Sequence, residues 1–162
     1  MAEYIDIHSK GKNAPNDKIK EISQKLSNFY PHSFTIDGVA CASMEGFLQS
    51  LKYLCPKKQR QVCLLSGMEA KEAGVGKRRW KLTRNVYWCG KRYARLSPEY
   101  RELIFRAYSA MYAQNVDFRK ALEASRGAKL CHSIGTPNPK KTILTEREFI
   151  CMLYRLRGKY LK

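Results

Sequence analysis

Glu45, Gln49 and Lys52 stand at i, i+4 and i+7 within the stretch Ser43-Met44-Glu45-Gly46-Phe47-Leu48-Gln49-Ser50-Leu51-Lys52. A helix sets these three side chains in one polar stripe. Ser43 precedes them as an N-cap, its hydroxyl able to accept from the free backbone N–H groups of a first turn. Met44, Phe47, Leu48, Leu51 and Leu54 recur at helical spacing and predict an apolar face. A carboxylate in that first turn, partly withdrawn from water, has a raised pKa and can act as a base. The same carboxylate can also do no more than complement the helix dipole. The stretch alone leaves both readings open.

A second chemical feature is the segment from Lys77 to Arg95. It carries Lys77, Arg78, Arg79, Lys81, Arg84, Lys91, Arg92 and Arg95 with no acid, and Trp80, Tyr87, Trp88 and Tyr93 are interleaved. Guanidinium groups and aromatic rings together can hold a phosphate and stack a base. A solvated cationic loop anchored by its tryptophans fits the same residues. His132 lies in the short β-like run Leu130-Cys131-His132-Ser133-Ile134 and reads first as a hydrogen-bonded structural histidine. Gly74-Val75-Gly76-Lys77 is a fragment of a phosphate loop without the full pattern, and it is set aside. The six cysteines contain no C-x-x-C pair, fit no zinc spacing and mostly sit among apolar neighbours, so they read as buried thiols. Neither a metal nor a cofactor is implied.

The elements that must position these residues follow from patterning. The chain has 162 residues, 44% of them hydrophobic and 11% aromatic, which suits one globular domain with a sizeable core. Tyr4 to His8 alternates as a strand, and Ser9 to Asp17 reads as a flexible loop. A short helix is expected over Lys18–Leu26, and an Asp37-Gly38 turn between β-rich runs predicts a hairpin. Pro56 opens another helix, and a helical piece falls within Gly67–Gly76. Ser97-Pro98 opens a long helix with Tyr100, Leu103, Ile104, Ala107 and Met111 inward, ending near Asn115. Asp117 begins the next, with Gly127 as its stop. Thr145 and Glu148 form a capping box for a last helix that Gly158 ends. The expected fold class is predominantly α-helical with a small antiparallel β element, its minor sheet built from the hairpin and one or two further strands.

The net charge of +17, from 31 basic and 14 acidic side chains, favours anionic partners such as nucleotides or nucleic acid. No apolar run is long enough to span a bilayer, and the opening residues lack the parts of a signal peptide. A cytoplasmic protein without membrane contact is expected. Oligomeric state is not legible.

The run Leu-Ser-Asn-Phe-Tyr-Pro at 26–31, Ile-Asp-Gly at 36–38 and the S-x-E-x-x-x-Q-x-x-K pattern at 43–52 resemble the NADAR family, also called YbiA-like. The resemblance runs from about Tyr4 to Arg157 and is most specific in the first third. It implies a single YbiA-like domain over 1–162 and an N-glycosidase. The implied substrates are ribosylamino-pyrimidine phosphates or ADP-ribose attached to a guanine base. Carried over residue by residue, Glu45 matches the catalytic glutamate. Ser27, Asn28 and Phe29 match a substrate-pocket segment, and Gln49 and Lys52 match the rest of the helix motif. Trp80 or Trp88 matches an aromatic pocket wall, and His132 falls in a region that the family also uses. The chain departs from the family pattern at Gly46 and Leu48, where His and an aromatic are frequent, and over residues 132–139, where an N-D-x-x-W-G-like segment is frequent. The competing class is a non-enzymatic module that binds nucleic acid through residues 77–95, or binds ADP-ribose.

Overall fold

The computed structural model describes residues 3–161. Met1, Ala2 and Lys162, which the expected 1–162 domain includes, lie outside the described residues. Among the described residues, eight helices and six short strands follow in the order β1 Tyr4–Asp6, α1 Asp17–Leu26, β2 Phe34–Ile36, β3 Val39–Cys41, α2 Met44–Ser50, α3 Pro56–Cys63, α4 Gly67–Gly74, α5 Arg79–Thr83, β4 Asn85–Trp88, β5 Lys91–Ala94, α6 Pro98–Gln114, α7 Val116–Ala124, β6 Lys129–Cys131 and α8 Glu146–Tyr160. The fold is predominantly helical with small antiparallel β elements, as the patterning predicts.

The strands form three separate two-stranded ladders instead of one minor sheet. β2 and β3 pair around Asp37-Gly38, where both residues have positive φ (50° and 76°). That is the turn the Asp-Gly pair encodes. β4 and β5 pair around Cys89-Gly90, also at positive φ (49° and 82°). This second hairpin is not legible in the sequence, because Cys is an unusual first residue for such a turn. β1 and β6 are parallel, Tyr4 opposite Lys129 and Asp6 opposite Cys131. The ladders stay apart because each is covered by helices: β2 lies on α6, and β1–β6 lies against α1 and α8.

α6 is the central element. Its Tyr100, Leu103, Ile104, Ala107, Tyr108 and Met111 are all buried. They join α1, α2, α7 and α8 in one continuous apolar cluster. Ser97 caps α6 by accepting from the Tyr100 N–H at 3.1 Å, with Pro98 in the first turn. Asn115, not Asp117, caps α7. The capping box at Thr145 and Glu148 closes with bonds of 3.0 and 2.8 Å. α8 runs through Gly158 to Tyr160, so that glycine does not stop it. α2 is shorter than its apolar pattern predicts: Leu51 is the C-cap and Leu54 lies beyond the helix, 60% exposed. Only Cys41 and Cys63 are buried; Cys55, Cys89 and Cys151 are exposed, Cys131 is intermediate, and all six are free thiols. No helix among the described residues is long and apolar enough to cross a membrane.

Candidate active site

α2 is held at its N-terminus from three sides. The Ser43 hydroxyl accepts from the Gly46 N–H at 3.0 Å and donates to the Leu65 carbonyl at 2.9 Å. The Glu45 N–H donates to the Asn28 carbonyl at 3.0 Å. Gly46 faces the end of α3: a Cβ there would stand 2.5 Å from the Leu65 carbonyl oxygen and 2.9 Å from that of Cys63. This close approach explains why the residue after the glutamate is glycine here.

The loop after α1 supplies the next wall. Asn28 gives its backbone carbonyl to Glu45, and its side-chain oxygen accepts from the buried Tyr108 hydroxyl at 2.7 Å. The Ser27 hydroxyl accepts from the Phe29 N–H at 3.2 Å, which turns the chain so that Phe29 lines the cavity. Across from α2, the chain leaves the parallel ladder at His132. The Ile7 carbonyl lies 2.7 Å from His132 Nδ1. A carbonyl can only accept, so Nδ1 carries a proton and Nε2 is the ring's remaining nitrogen. The ring stands edge-on to Phe149 at 5.2 Å.

Between these walls lies a cavity of about 360 Å³. Ser27, Asn28, Phe29, Glu45, Gln49 and His132 all line it. The structure therefore brings together six of the nine residues singled out in the sequence. It separates the other three. Lys52 and Trp80 line a second cavity of about 220 Å³. Trp88 lines neither; it is buried against Phe47 (ring centroids 4.9 Å apart), and its Nε1–H donates to Asp37 at 2.8 Å. It lies on an inward face of the β4–β5 hairpin, so it is a core residue and not a pocket wall.

Glu45 keeps a narrow opening to the cavity but is surrounded by protein. Burial pushes its carboxyl above the usual carboxylate range. The Gln49 amide, which donates to it at 2.8 Å, and the charges of Lys52, Lys71 and His132 oppose that rise. Lys52 responds in the complementary sense: burial lowers its pKa to about 8, with Glu45 working to raise it and Lys81 to lower it further. The result is a carboxyl group held by one amide on the wall of a cavity with both apolar and polar lining.

Several lining residues were missed by sequence reasoning. Met68 and Lys71 come from α4, and Thr142, Thr145 and Phe149 come from the last loop and α8. That last wall is anchored by Arg95, which the sequence placed in a cationic surface segment. Arg95 is 1% exposed, grips both oxygens of Glu148 at 2.6 and 2.9 Å, and donates twice to the Thr142 carbonyl. The capping box was a legible sign that Glu148 is structural; its guanidinium partner 53 residues away was not.

Comparison with known proteins places the chain. The NMR structure of the E. coli protein YbiA aligns over 99% of this chain and 87% of its own, with a TM-score of 0.61 at 20% identity, a likeness of fold. An uncharacterized 17.1 kDa protein from the Gp30-rIII intergenic region of Enterobacteria phage T4 is 42% identical over 133 residues, which is 82% of this chain and 88% of the phage protein. The model of the family described as bacteriophage protein GP30.3 matches residues 20–158. On the extent of that match, and with a YbiA-like fold beneath it, the chain belongs to the bacteriophage protein GP30.3 family.

Proposed function

We propose that the chain is a NADAR-type N-glycosidase, acting on a ribosylamino-pyrimidine phosphate or on ADP-ribose attached to a guanine base. The observation that carries this reading is Glu45: a desolvated carboxylate on a cavity wall, aimed by the Gln49 amide at 2.8 Å. In the reaction the bond between the ribosyl C1′ and nitrogen breaks, and its electron pair leaves with the base. The positive charge that develops on the ribosyl group lies beside Glu45, where a carboxylate stabilises it in a poorly solvated site. Water adds to C1′, Glu45 takes its proton, and Glu45 then gives that proton up to the departing nitrogen, returning to the carboxylate. Asn28 and Gln49 position the sugar. Phe29 and Phe149 offer apolar surface to the base, and His132, which lines the same cavity, hydrogen-bonds its edge.

The test is release of free base from both substrate classes and from NAD. Wild type is expected to turn over one of them, and Glu45→Gln to lose about 10²–10⁴-fold in rate with the fold intact. Equal rates in the two proteins would remove Glu45 from the chemistry. Binding of ADP-ribose without turnover would instead support an inert relative.

A second reading, a nucleic-acid-binding module, draws on exposed cations at Lys77, Arg78, Arg79, Lys81, Arg84, Lys91 and Arg92. Trp80 and Trp88 are both 2% exposed, so the stacking half of that reading is not available to them. What is left is phosphate contact. Such binding would fall steeply with salt, survive Glu45→Gln, and drop when Arg78 and Arg79 are replaced.

A further inference from the structure

A second cavity shares no lining residue with the first, and hydrolysis at Glu45 makes no use of it. Lys52, Lys77, Arg79, Trp80 and Tyr87 line it. Its volume of about 220 Å³ is below the usual range for a whole nucleotide-sized ligand. Three features of its wall are unusual together. The half-buried ammonium of Lys52 forms no ion pair among the described residues. Two further ammonium groups lie on the same aromatic residues: Lys81 Nζ is 5.9 Å from the Trp80 ring, as Lys52 Nζ is, and Lys77 Nζ is 4.9 Å from the ring of Tyr53, which also lines the cavity. The Trp80 indole N–H is buried without a hydrogen-bond partner.

A desolvated cation among like charges is costly unless an anion offsets it. No carboxylate among the described residues lines this cavity, and Glu45, the one whose charge acts on Lys52, lines the other. The backbone is shaped to keep Lys52 there. A Cβ on Gly74 would stand 2.9 Å from Lys52 Nζ and 1.7 Å from Gln49 Oε1, so a side chain at that position would displace both.

We propose that this second cavity is a phosphate-binding site, held by Lys52, Lys77 and Arg79 with the Trp80 indole as a neutral donor, and suited to the phosphomonoester or pyrophosphate of a nucleotide. Arg79 offers the planar fork that matches phosphate oxygens, and Lys52 and Lys77 act as point charges. Lys52 lies just beyond the C-cap of α2, near enough to Glu45 for the two charges to act on each other.

The charged groups that face Lys52 are Glu45 on α2 and Lys81 on α5, with Lys77 and Arg79 sharing its cavity. Burial pulls the Lys52 pKa down to about 8. Phosphate affinity therefore falls as pH rises through that value, and binding near pH 8 takes up a proton.

The experiment is a titration of the full chain with pyrophosphate, and separately with inorganic phosphate, at constant ionic strength, read on the two tryptophan indole N–H resonances. Trp80→Phe assigns them. The Trp80 signal is expected to move and saturate while the Trp88 signal, already bonded to Asp37, stays. Lys77→Gln with Arg79→Gln, both exposed and tolerant of change, should weaken binding about 10-fold or more. Glu45→Gln should leave the site able to bind, so failure of the hydrolytic reading and failure of this one are told apart. Calorimetry at pH 8 in buffers of different ionisation enthalpy should report proton uptake. A single-stranded oligonucleotide is the other source of phosphate. If it moves the Trp80 signal and pyrophosphate does not, the site is overturned in favour of a polyanion surface. The absence of a saturable shift, an equal response to chloride, or unchanged affinity in the double variant would overturn it as well.

Discussion

Glu45 is the residue at which stability and chemistry pull in opposite directions. Its folded pKa is raised by burial, so between the unfolded value and the raised one the native state holds more protons than the unfolded chain. Stability then falls as pH rises through the folded pKa, and the cost of keeping the carboxylate ionised is in full force at neutral pH. Glu45→Gln removes that cost while its side-chain oxygen can still accept from Gln49. The variant is expected to melt higher than wild type at pH 7–8 and close to it at pH 4, as thermal scans across that range would establish. Wild-type turnover should rise with pH through an apparent pKa above the ordinary carboxylate value, because only the ionised base accepts a proton from water. Gly46 is the second telling residue. With three carbonyl oxygens within 3.0 Å of its missing Cβ, Gly46→Ala must push α2 away from the end of α3. A loss of about 1–3 kcal/mol in urea unfolding is expected, the usual cost of overpacking.

Among the elements, the wall formed by residues 142–149 depends on one buried ion pair. Burial pulls the Glu148 carboxyl up. The Arg95 guanidinium and the Thr145 N–H more than offset it and leave the pKa below the ordinary carboxylate value. A carboxyl of that kind contributes stability above its unfolded pKa and loses it as pH falls through the depressed one. Arg95→Met should cost about 3 kcal/mol at pH 7, since it leaves the Thr142 carbonyl without its guanidinium donor and Glu148 with only the Thr145 N–H. The difference between variant and wild type should shrink near pH 3, which denaturant curves at the two pH values would measure. The cavity then loses its far wall, so substrate binding should weaken in the same variant.

The whole molecule carries +17 and only five side-chain ion pairs among the described residues, so repulsion between exposed cations works against the compact state. Simple salt screens that repulsion over about 10 Å at 0.1 M. The melting temperature is expected to rise as sodium chloride is taken from about 10 mM to 300 mM, with lower denaturant sensitivity at the higher value. A flat response would mean that the cations are spread too far apart to repel one another. The same field draws anionic substrates toward a surface whose two cavities both have lysine at the wall, Lys71 at one and Lys52 at the other.

What the chain determined by itself was local. Ser43, Ser97 and Thr145 announce three helix starts, and Asp37-Gly38 announces a hairpin, because a cap or a turn is settled by residues within three or four positions. Glu45 and Gln49 were legible as partners for the same reason, being one turn apart on α2. The Ser27–Phe29 segment could be tied to Glu45 only through the resemblance, since their contact is a backbone bond between Asn28 and Glu45 that no side-chain pattern encodes. Tertiary structure alone decided which way the basic segment faces. A run of cations and aromatics reads the same whether it is a loop or a hairpin. Only pairing β4 with β5 sends Trp88 and Tyr93 inward and, with the short helix α5 before it, buries Trp80 while leaving Arg78 and Arg79 in water. Arg95 moved furthest from its sequence reading for the same reason. Its charge is tolerated inside only because Glu148 and the Thr142 carbonyl, far along the chain, are brought to it by the packing of α8 on α6.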